Sequence, residues 1–274
     1  MKQLRKIITW LGLSNKSFCF VFNHLNKFVY RYAFVIKYIK KEDLYLINDY
    51  GNDYGNEKLY ITRKSRIRLY KYGVDNRLKF LISQYLLDDF HFNEGDIVID
   101  IGANIGEFSY YLAKKYKAKV ISIEPEEKEF NCLKLNCKES NIELINKALW
   151  SEETEMTFYQ KNDTGDSSLF KTSDYKGTKK IKTATLSTII HNSLEENEKI
   201  KLLKLEAEGA EPEILMGAID ILNRIEYIVA DVGPERGLKS ENTLIEVLNI
   251  LQNNGFEAIR FGDERGILLF KKKK

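Results

Sequence analysis

The run VIDIGANIGEFS, Val98 to Ser109, constrains this chain more than any other. Its apolar start reads as a buried strand, Ile97 to Ile101, with the carboxylate Asp100 at its end. A glycine loop and the first turn of a helix follow. Gly102 and Gly106 lack a Cβ, so the backbone can turn tightly there and approach a ligand. A strand, a glycine loop and a helix N-terminus in that order form the nucleotide-binding crevice of an open α/β sheet. The spacing is G-x-x-x-G. A dinucleotide fingerprint would read G-x-G-x-x-G and leave bare amides for a pyrophosphate.

A carboxylate at this place suits a ligand with a positive group and no phosphate, such as S-adenosylmethionine. The next strand, Lys119 to Ile123, ends in Glu124-Pro125, and an acid at the end of a second strand accepts hydrogen bonds from a ribose diol. NAD would use the same acid, so Glu124 does not discriminate between the two ligands.

A hydrophobic fraction of 43% is ample for a core, and 274 residues suit one larger domain with an appendage. Cys19, Cys132 and Cys137 form no CxxC, and His24, His91 and His191 have no metal-ligand spacing. Neither a zinc site nor a disulfide framework is expected, and the cysteine usage points to a reducing cytoplasm. The net charge of +3 hides an asymmetry: residues 1–41 carry nine Lys or Arg and no acid, leaving 34 basic and 40 acidic residues beyond. The basic arm also holds nine aromatics, Trp10 among them. Phe18, Val21, Phe22, Leu25, Val29, Tyr32 and Ile36 recur at helical spacing. The arm is too polar for a membrane span and lacks a signal-peptide cleavage pattern. Three readings compete. The first is a helix packed on the catalytic part, or on a second copy of the chain in a homodimer. The second is a helix lying on a membrane surface. The third, a nucleic-acid arm, is disfavoured by the absence of a recognition motif and by the acidic remainder, so no nucleic-acid partner is expected.

Residues 42–60, with NDYGNDYGN, read as a turn or hairpin tip. Residues 61–92 read as a strand, a turn near Gly73 and a helix through Leu78, Leu81, Tyr85 and Leu86. From Ile97 onward strand and helix patterns alternate: strands at 97–101, 119–123, 143–148, 202–205 and 227–230, and β-like pieces at 156–159 and 180–184. A last helix covers 241–252, with Ser240 as its cap. The chain closes on two strands, 256–261 and 266–270. Such a terminal antiparallel pair fits the seven-stranded methyltransferase sheet, order 3-2-1-4-5-7-6.

Asp100, Glu124, Glu206 and Asp231 each follow an apolar strand. Four acids converging on one crevice would repel one another unless a ligand relieved them. In LLKLEAEGAEPEIL, Glu206 and Glu208 precede the turn at Gly209 and are candidates for catalytic or substrate-orienting roles. Glu211 and Glu213 read as residues favouring a helix N-terminus through its dipole.

DIGANIGEFS (100–109), EP (124–125), NKALWS (146–151), DSSLF (166–170), TLSTII (185–190) and KLEAEGAEPEIL (204–215), in that order, resemble the FkbM family of S-adenosylmethionine-dependent methyltransferases. The resemblance covers about residues 60 to 270. It implies a class I, Rossmann-like α/β domain over 93–274, preceded by an N-terminal helical and β appendage over 1–92. It also implies an O-methyltransferase acting on a hydroxyl of a sugar in a glycan or glycolipid; the alternatives are a methyltransferase acting on another acceptor (natural product, tRNA or protein) and a non-catalytic S-adenosylmethionine-binding module. Asp100, Gly102, Ala103, Asn104 and Gly106 would line the methionine part of the cofactor, Glu124 and Pro125 the ribose side, and Asn146, Ala148 and Leu149 the adenine. Glu206, Glu208 and then Asp231 are the candidate bases. Asp166, Ser167, Arg66 and Tyr70, with Arg77 and Tyr85, would bound the acceptor. The family usually has Asp where Glu206 stands and often Asp where Ser187 stands. Asp231 resembles the strand-five acid of metal-dependent catechol-type enzymes. This adds a magnesium ion on Glu206 and Asp231 as a second reading, ranked below a metal-free mechanism.

Overall fold

The computed structural model describes residues 13–30, 32, 34–50, 57–138, 141–161, 167–262 and 266–273. The chain divides into two compact units, Met1–Phe80 and Leu81–Lys274, a boundary earlier than the 92/93 expected from sequence. Residues 81–92 run with the second unit. Arg260 of that unit donates to the Leu86 carbonyl at 3.2 Å, and Phe90 stacks edge-on against Tyr227.

In the first unit, helix α1 (Asn15–Leu25) starts at Ser14, whose hydroxyl accepts the Ser17 N–H, and runs into a π-helical turn over Asn26–Tyr30. Strands β1 (Phe34–Ile39), β2 (Leu44–Asp49) and β3 (Lys58–Ile61) then form an antiparallel sheet. The helical spacing that the sequence carries as far as Ile36 is therefore not followed: FVIKYI is β-branched and aromatic, and it buries Phe34 and Ile36 at a period of two. Residues 44–49 are likewise strand where a turn was expected, and the DYGN turn residues 51–56 lie outside the described residues, as does Trp10. Two helix asparagines complete the sheet edge. Asn23 exchanges hydrogen bonds of 2.8 and 2.9 Å with the Ile36 backbone, and Asn26 donates to the Phe34 carbonyl at 2.6 Å. These bonds occupy backbone groups that would otherwise form an open edge. Phe18 and Phe22 pack on Tyr45 and Phe34, so this part of the arm covers its own sheet. A 3-10 helix, Lys64–Tyr70, replaces the strand expected beyond Ile61. Helix α2 (Val74–Gln84) opens with the Val74 N–H donated to Asp49 at 2.6 Å.

The second unit is built on a seven-stranded sheet. Its strands are β4 (Ile97–Ile101), β5 (Lys119–Ile123), β6 (Ile142–Ile145), β10 (Ile200–Leu205), β11 (Ile225–Asp231), β12 (Phe256–Gly262) and β13 (Ile267–Lys272). The order is β6-β5-β4-β10-β11-β13-β12, parallel except for β13, which pairs antiparallel with β11 and with β12. This is the 3-2-1-4-5-7-6 order expected. IVIDI of β4 is buried at every position, as a parallel strand covered on both faces must be. Helices α3 (Glu107–Tyr116), α4 (Glu127–Asn136), α5 (Leu186–Ser193), α6 (Glu211–Met216) and α7 (Leu244–Asn253) accompany it. One continuous core joins Ile99, Ile121, Leu203, Ile214, Ile228, Val247 and Phe270. Strand three ends at Ile145, and Ala148–Leu149 instead form β7, in a small sheet with β9 (Gly177–Ala184) and β8 (Glu155–Gln160). Helix α7 starts after Thr243 rather than at Ser240, because an antiparallel bridge between Arg236 and Glu241 holds that segment as a turn. Among the described residues no helix is long and apolar enough to cross a membrane.

Candidate functional site

The glycine loop closes against protein on two sides. Gly102 lies at φ +70°, and a Cβ there would sit 2.0 Å from the Glu206 carbonyl oxygen. Only glycine lets the loop approach the end of β10 so closely. Gly106, at φ +88°, would place a Cβ 2.5 Å from Leu133 and 2.7 Å from the Cys137 sulfur. Its missing side chain is explained by packing against α4. Each amide of the loop has an acceptor. The N–H groups of Gly102 and Ala103 donate to the Ile123 carbonyl at 3.0 Å, and that of Gly106 donates to Ala103 at 2.8 Å. The Asn104 N–H donates to the Glu124 carboxylate at 2.8 Å, and that of Ile105 to the Asn104 side chain at 3.0 Å. A pyrophosphate cradle needs these donors directed outward. Here they are spent on acceptors of the loop itself and of the end of β5.

The acids at the strand ends do not face one another unrelieved, because a lysine lies between two of them. Lys204 stands directly across from Asp100 in the β10–β4 register. Its ammonium is 2.9 Å from Asp100 and 3.1 Å from Glu206. It also donates to the carbonyls of Ile101 and Gly102 at 3.1 and 3.2 Å. Burial works against its charge, but Asp100, Tyr85 and Glu206 outweigh burial and hold the ammonium well above its ordinary range. Asp100 is fully buried and accepts from Ser109 at 2.6 Å, which in turn accepts from Ser122 at 2.7 Å. Glu206 is the open member of the triad: its side chain is 21% exposed, against 3% for Lys204 and 0% for Asp100. The Tyr85 hydroxyl donates a short hydrogen bond to Glu206. Sequence reasoning did not single out Lys204. Its signal was a lysine inside an unbroken apolar strand that buries both faces, where a charge must be paired.

Beyond β10 the loop EAEGA is held from within. Glu211 accepts the N–H groups of Ala207 and Gly209 at 2.9 and 3.2 Å and the Thr243 hydroxyl at 3.1 Å. It therefore does more than favour a helix start. Burial pushes its carboxyl up to about 7 against those hydrogen bonds. Glu213 pairs with Arg236, whose backbone a Cβ at Gly209 would strike at 2.7 Å. The Arg236 guanidinium lies 4.3 Å from the centre of the Phe170 ring, which packs on Trp150. Glu208 is held at φ +52°, and its carbonyl accepts the Ser168 hydroxyl at 2.8 Å.

At the end of β5, Glu124 is buried and accepts the N–H groups of Asn104 and Glu126, each at 2.8 Å. Asn146 donates to the carbonyls of Glu124 and Pro125 at 2.7 and 3.3 Å. Ala148 and Leu149 are buried in β7. A crevice lined by carboxyl groups, whose loop amides are already satisfied, suits a ligand that bears hydroxyls and no phosphate.

The FkbM methyltransferase domain profile matches residues 100–258, from the strand-end Asp100 into β12. The chain belongs to the FkbM family of S-adenosylmethionine-dependent methyltransferases. Among solved structures it is similar to a TehB-like SAM-dependent methyltransferase from Corynebacterium glutamicum (13% identity, 73% of this chain and 96% of that one, TM-score 0.43). It is also similar to a SAM-dependent methyltransferase from Aquifex aeolicus (16%, 76% and 93%, 0.41). A third is the precorrin-6y C5,15-methyltransferase from Geobacter metallireducens (11%, 72% and 89%, 0.41). No curated relative matches the sequence significantly.

The remaining candidates of this FkbM chain are less concentrated. Ser167 accepts the Lys161 N–H at 3.0 Å. It is the neighbouring Ser168 that reaches the EAEGA segment. Asp166 lies outside the described residues. Arg66 and Tyr70 belong to the 3-10 helix of the first unit, Tyr70 buried and Arg66 half-buried. Asp231 is buried and accepts the Gly233 N–H at 3.1 Å. Ser187 donates to Asp220, which also meets His191 at 2.9 Å. The magnesium reading finds no support. Glu206 is bound to an ammonium and a phenol, and no group of three or more His, Cys, Asp or Glu able to hold a metal occurs among the described residues.

Burial is the largest influence on Glu124 and pushes it from the ordinary 4.5 up to about 8, against the amides of Glu126 and Asn104. The folded chain therefore binds a proton that the unfolded chain has released across that interval. Its contribution is fully present below the unfolded pKa and is lost as pH rises through the folded one. Glu124→Gln removes this titration. The melting temperature of the unliganded variant minus that of wild type should rise steadily between pH 5 and 8 and level off above. A difference that stays flat over this interval would contradict the burial account.

Proposed function

We propose that this FkbM methyltransferase methylates a hydroxyl of a sugar in a glycan or glycolipid, with Glu206 as general base. The observation that carries the reading is the placement of Glu206. Its carboxylate is held by Lys204, whose ammonium also binds the Gly102 carbonyl of the glycine loop, at the carboxyl end of a central strand, and it is the most exposed side chain of its triad. In open α/β sheets ligands lie in that crevice. Asp100, Gly102, Ala103, Asn104 and Gly106 border the methionine part of the cofactor in this reading. Glu124 accepts from its ribose, and Pro125, Asn146, Ala148 and Leu149 flank its adenine. The cofactor, when bound, supplies an electrophilic methyl group on a sulfonium.

An alcohol is a weak nucleophile at neutral pH and must lose its proton as it attacks. Glu206 is suited to take it. Asp100, Lys204 and Glu206 together carry a net charge of about −1, and a proton on Glu206 leaves a neutral Lys204–Asp100 pair in the buried interior. The Tyr85 and Lys204 contacts hold the carboxylate in one place, which serves alignment. Glu208, on the same loop, is the second candidate. Trp150 and Phe170, tied to the EAEGA loop through Arg236, are aromatic side chains of the kind that suits a sugar. Transfer of tritiated methyl from S-adenosylmethionine to extracted glycolipids, tRNA and total protein tests the acceptor class. Label in the glycolipid fraction, stable to base as an ether, supports the reading, and label confined to tRNA or protein overturns it.

A cytoplasmic enzyme working on lipid-linked sugars needs access to the membrane face. Phe20 and Phe28 of the basic arm are 75% and 60% exposed and stack through His24 along one side of the helical segment. Two exposed aromatics on a basic, acid-free segment fit contact with anionic lipid. The double variant Phe20→Ser/Phe28→Ser should lower partitioning onto anionic liposomes more than about tenfold, from the apolar area lost. Equal flotation of variant and wild type would remove the membrane contact from the account.

A further inference from the structure

We propose that the paired strands β8 and β9 form a docking face for an acidic glycan, so that the acceptor is a sugar chain bearing carboxylate or phosphate groups. The inference deepens the proposed sugar methylation and rests on that reading. Beyond residue 41 the chain holds 34 basic and 40 acidic residues. Residues 167–184 run against this balance, with five lysines and a single acid, Asp174. That acid is taken at 3.1 Å by Lys161, from outside the stretch. The two faces of the strand pair differ. On one, Phe158 is buried, and Lys179 and Gln160 bond to Glu126, two residues beyond the buried Glu124. On the other, the register sets Glu155, Thr157 and Tyr159 across from Lys182, Lys180 and Thr178. Lys180 and Lys182 are exposed there. Lys182 has Glu155 as its cross-strand neighbour, whereas Lys180 has a threonine. Tyr159 meets the exposed Tyr175 edge-on, with ring centres 5.3 Å apart, and the Lys171 ammonium lies 5.9 Å from the Tyr175 ring centre. Among the described residues the ammonium groups of Lys171 and Lys180 have no ion-pair or hydrogen-bond partner.

This face is joined to the loop of the candidate base. Tyr159 and Ser168 exchange backbone hydrogen bonds of 2.8 and 3.0 Å, and the Ser168 hydroxyl donates to the Glu208 carbonyl at 2.8 Å. Two bonded steps separate the Tyr159 backbone from the segment that carries Glu206 and Glu208. A glycan longer than the sugar being methylated continues from that segment onto the strand pair. There tyrosine rings face its sugars, and unpaired ammonium groups answer its carboxylates or phosphates without first giving up an acid of the protein. A nucleic acid, charged at every nucleotide, meets the net acidic remainder of the chain and is disfavoured.

Three labelled probes of equal length, titrated at low salt into the full chain, test the proposal: an oligogalacturonate, a phosphorylated mannan oligosaccharide and a neutral maltooligosaccharide. Wild type should bind at least one acidic probe about tenfold or more tightly than the neutral one. The stronger acidic probe tells carboxylate from phosphate. Lys171→Gln/Lys180→Gln should remove most of that preference, since one ammonium about 4 Å from an anion is worth about fivefold even in water. The charge-matched control Lys199→Gln/Lys273→Gln alters exposed lysines at the amino ends of β10 and β11, the opposite end of the sheet, and should keep it. S-adenosylhomocysteine binding should be unaltered in both variants. Absence of the preference in wild type, its retention in Lys171→Gln/Lys180→Gln, its equal loss in the control, or tighter binding of a single-stranded RNA of equal charge overturns the docking face. The methyl-transfer assay reports separately on the reading beneath it. Transfer to neutral glycolipid leaves sugar methylation standing without the acidic acceptor, and label confined to tRNA or protein overturns both.

Discussion

Glu206→Ala should slow methyl transfer by about 10² to 10⁴-fold, the usual worth of a positioned general base, while leaving the fold and product binding intact. The fold should survive because Lys204 keeps Asp100 at 2.9 Å and the carbonyls of Ile101 and Gly102. Removing Glu206 turns a triad with excess charge into a neutral pair. Lys204 is not left alone, because it remains paired with Asp100, and a lone buried charge is what makes breaking an ion pair costly. Tyr85 loses its acceptor and is the side chain most disturbed. The assay is single-turnover transfer of labelled methyl to the glycolipid fraction, with product binding measured in parallel. A rate within threefold of wild type would remove Glu206 from the chemistry and promote Glu208. A collapse of rate and product binding together would make Glu206 a scaffold residue.

Gly102→Ala should be the most damaging single-methyl change in the cofactor loop. The added carbon would lie 2.0 Å from the Glu206 carbonyl oxygen, and that oxygen is backbone, unable to swing aside. The φ of +70° adds left-handed strain of roughly 1–2 kcal/mol, and overpacking adds roughly 1–3 kcal/mol. Together they predict a loss of about 2–5 kcal/mol of stability. They also predict displacement of the loop that carries the Asn104 and Ile105 amides, so cofactor affinity should fall with stability. Denaturant unfolding and calorimetry on the same preparation check both. Near-wild-type stability with normal affinity would show that the loop and β10 do not meet as described. Gly106→Ala gives a useful contrast. Its added carbon meets Leu133 and Cys137 side chains, which can yield, so the steric part of its cost should be smaller.

Much of the catalytic unit was legible because its strands are buried on both faces and so read as near-continuous apolar runs. IVIDI, KVISI and the LLKL of β10 could hardly be anything else, and the closing antiparallel pair set the sheet order. The first unit was harder. Val29, Tyr32 and Ile36 satisfy a helical period, yet the β-branched FVIKYI forms β1 once β2 is there to pair with it. That partner lay in a segment whose polar composition suggested only a turn. At the site, the strand-end acids were found but their relief was not. Lys204 and Asp100 become visible as partners only when the two strands are set side by side in register. Ser168 was passed over for Ser167 because nothing local tells which serine of a pair points toward a loop forty residues on.

The crevice of this FkbM methyltransferase takes a cationic, phosphate-free cofactor. Calorimetric titration of the purified full-length chain with S-adenosylmethionine, and in parallel with NAD, tests it most directly. Saturable binding of S-adenosylmethionine with no heat from NAD is the predicted result. Binding of NAD in preference to S-adenosylmethionine would contradict it, because it would require loop amides that are already committed to Ile123, Glu124, Asn104 and Ala103.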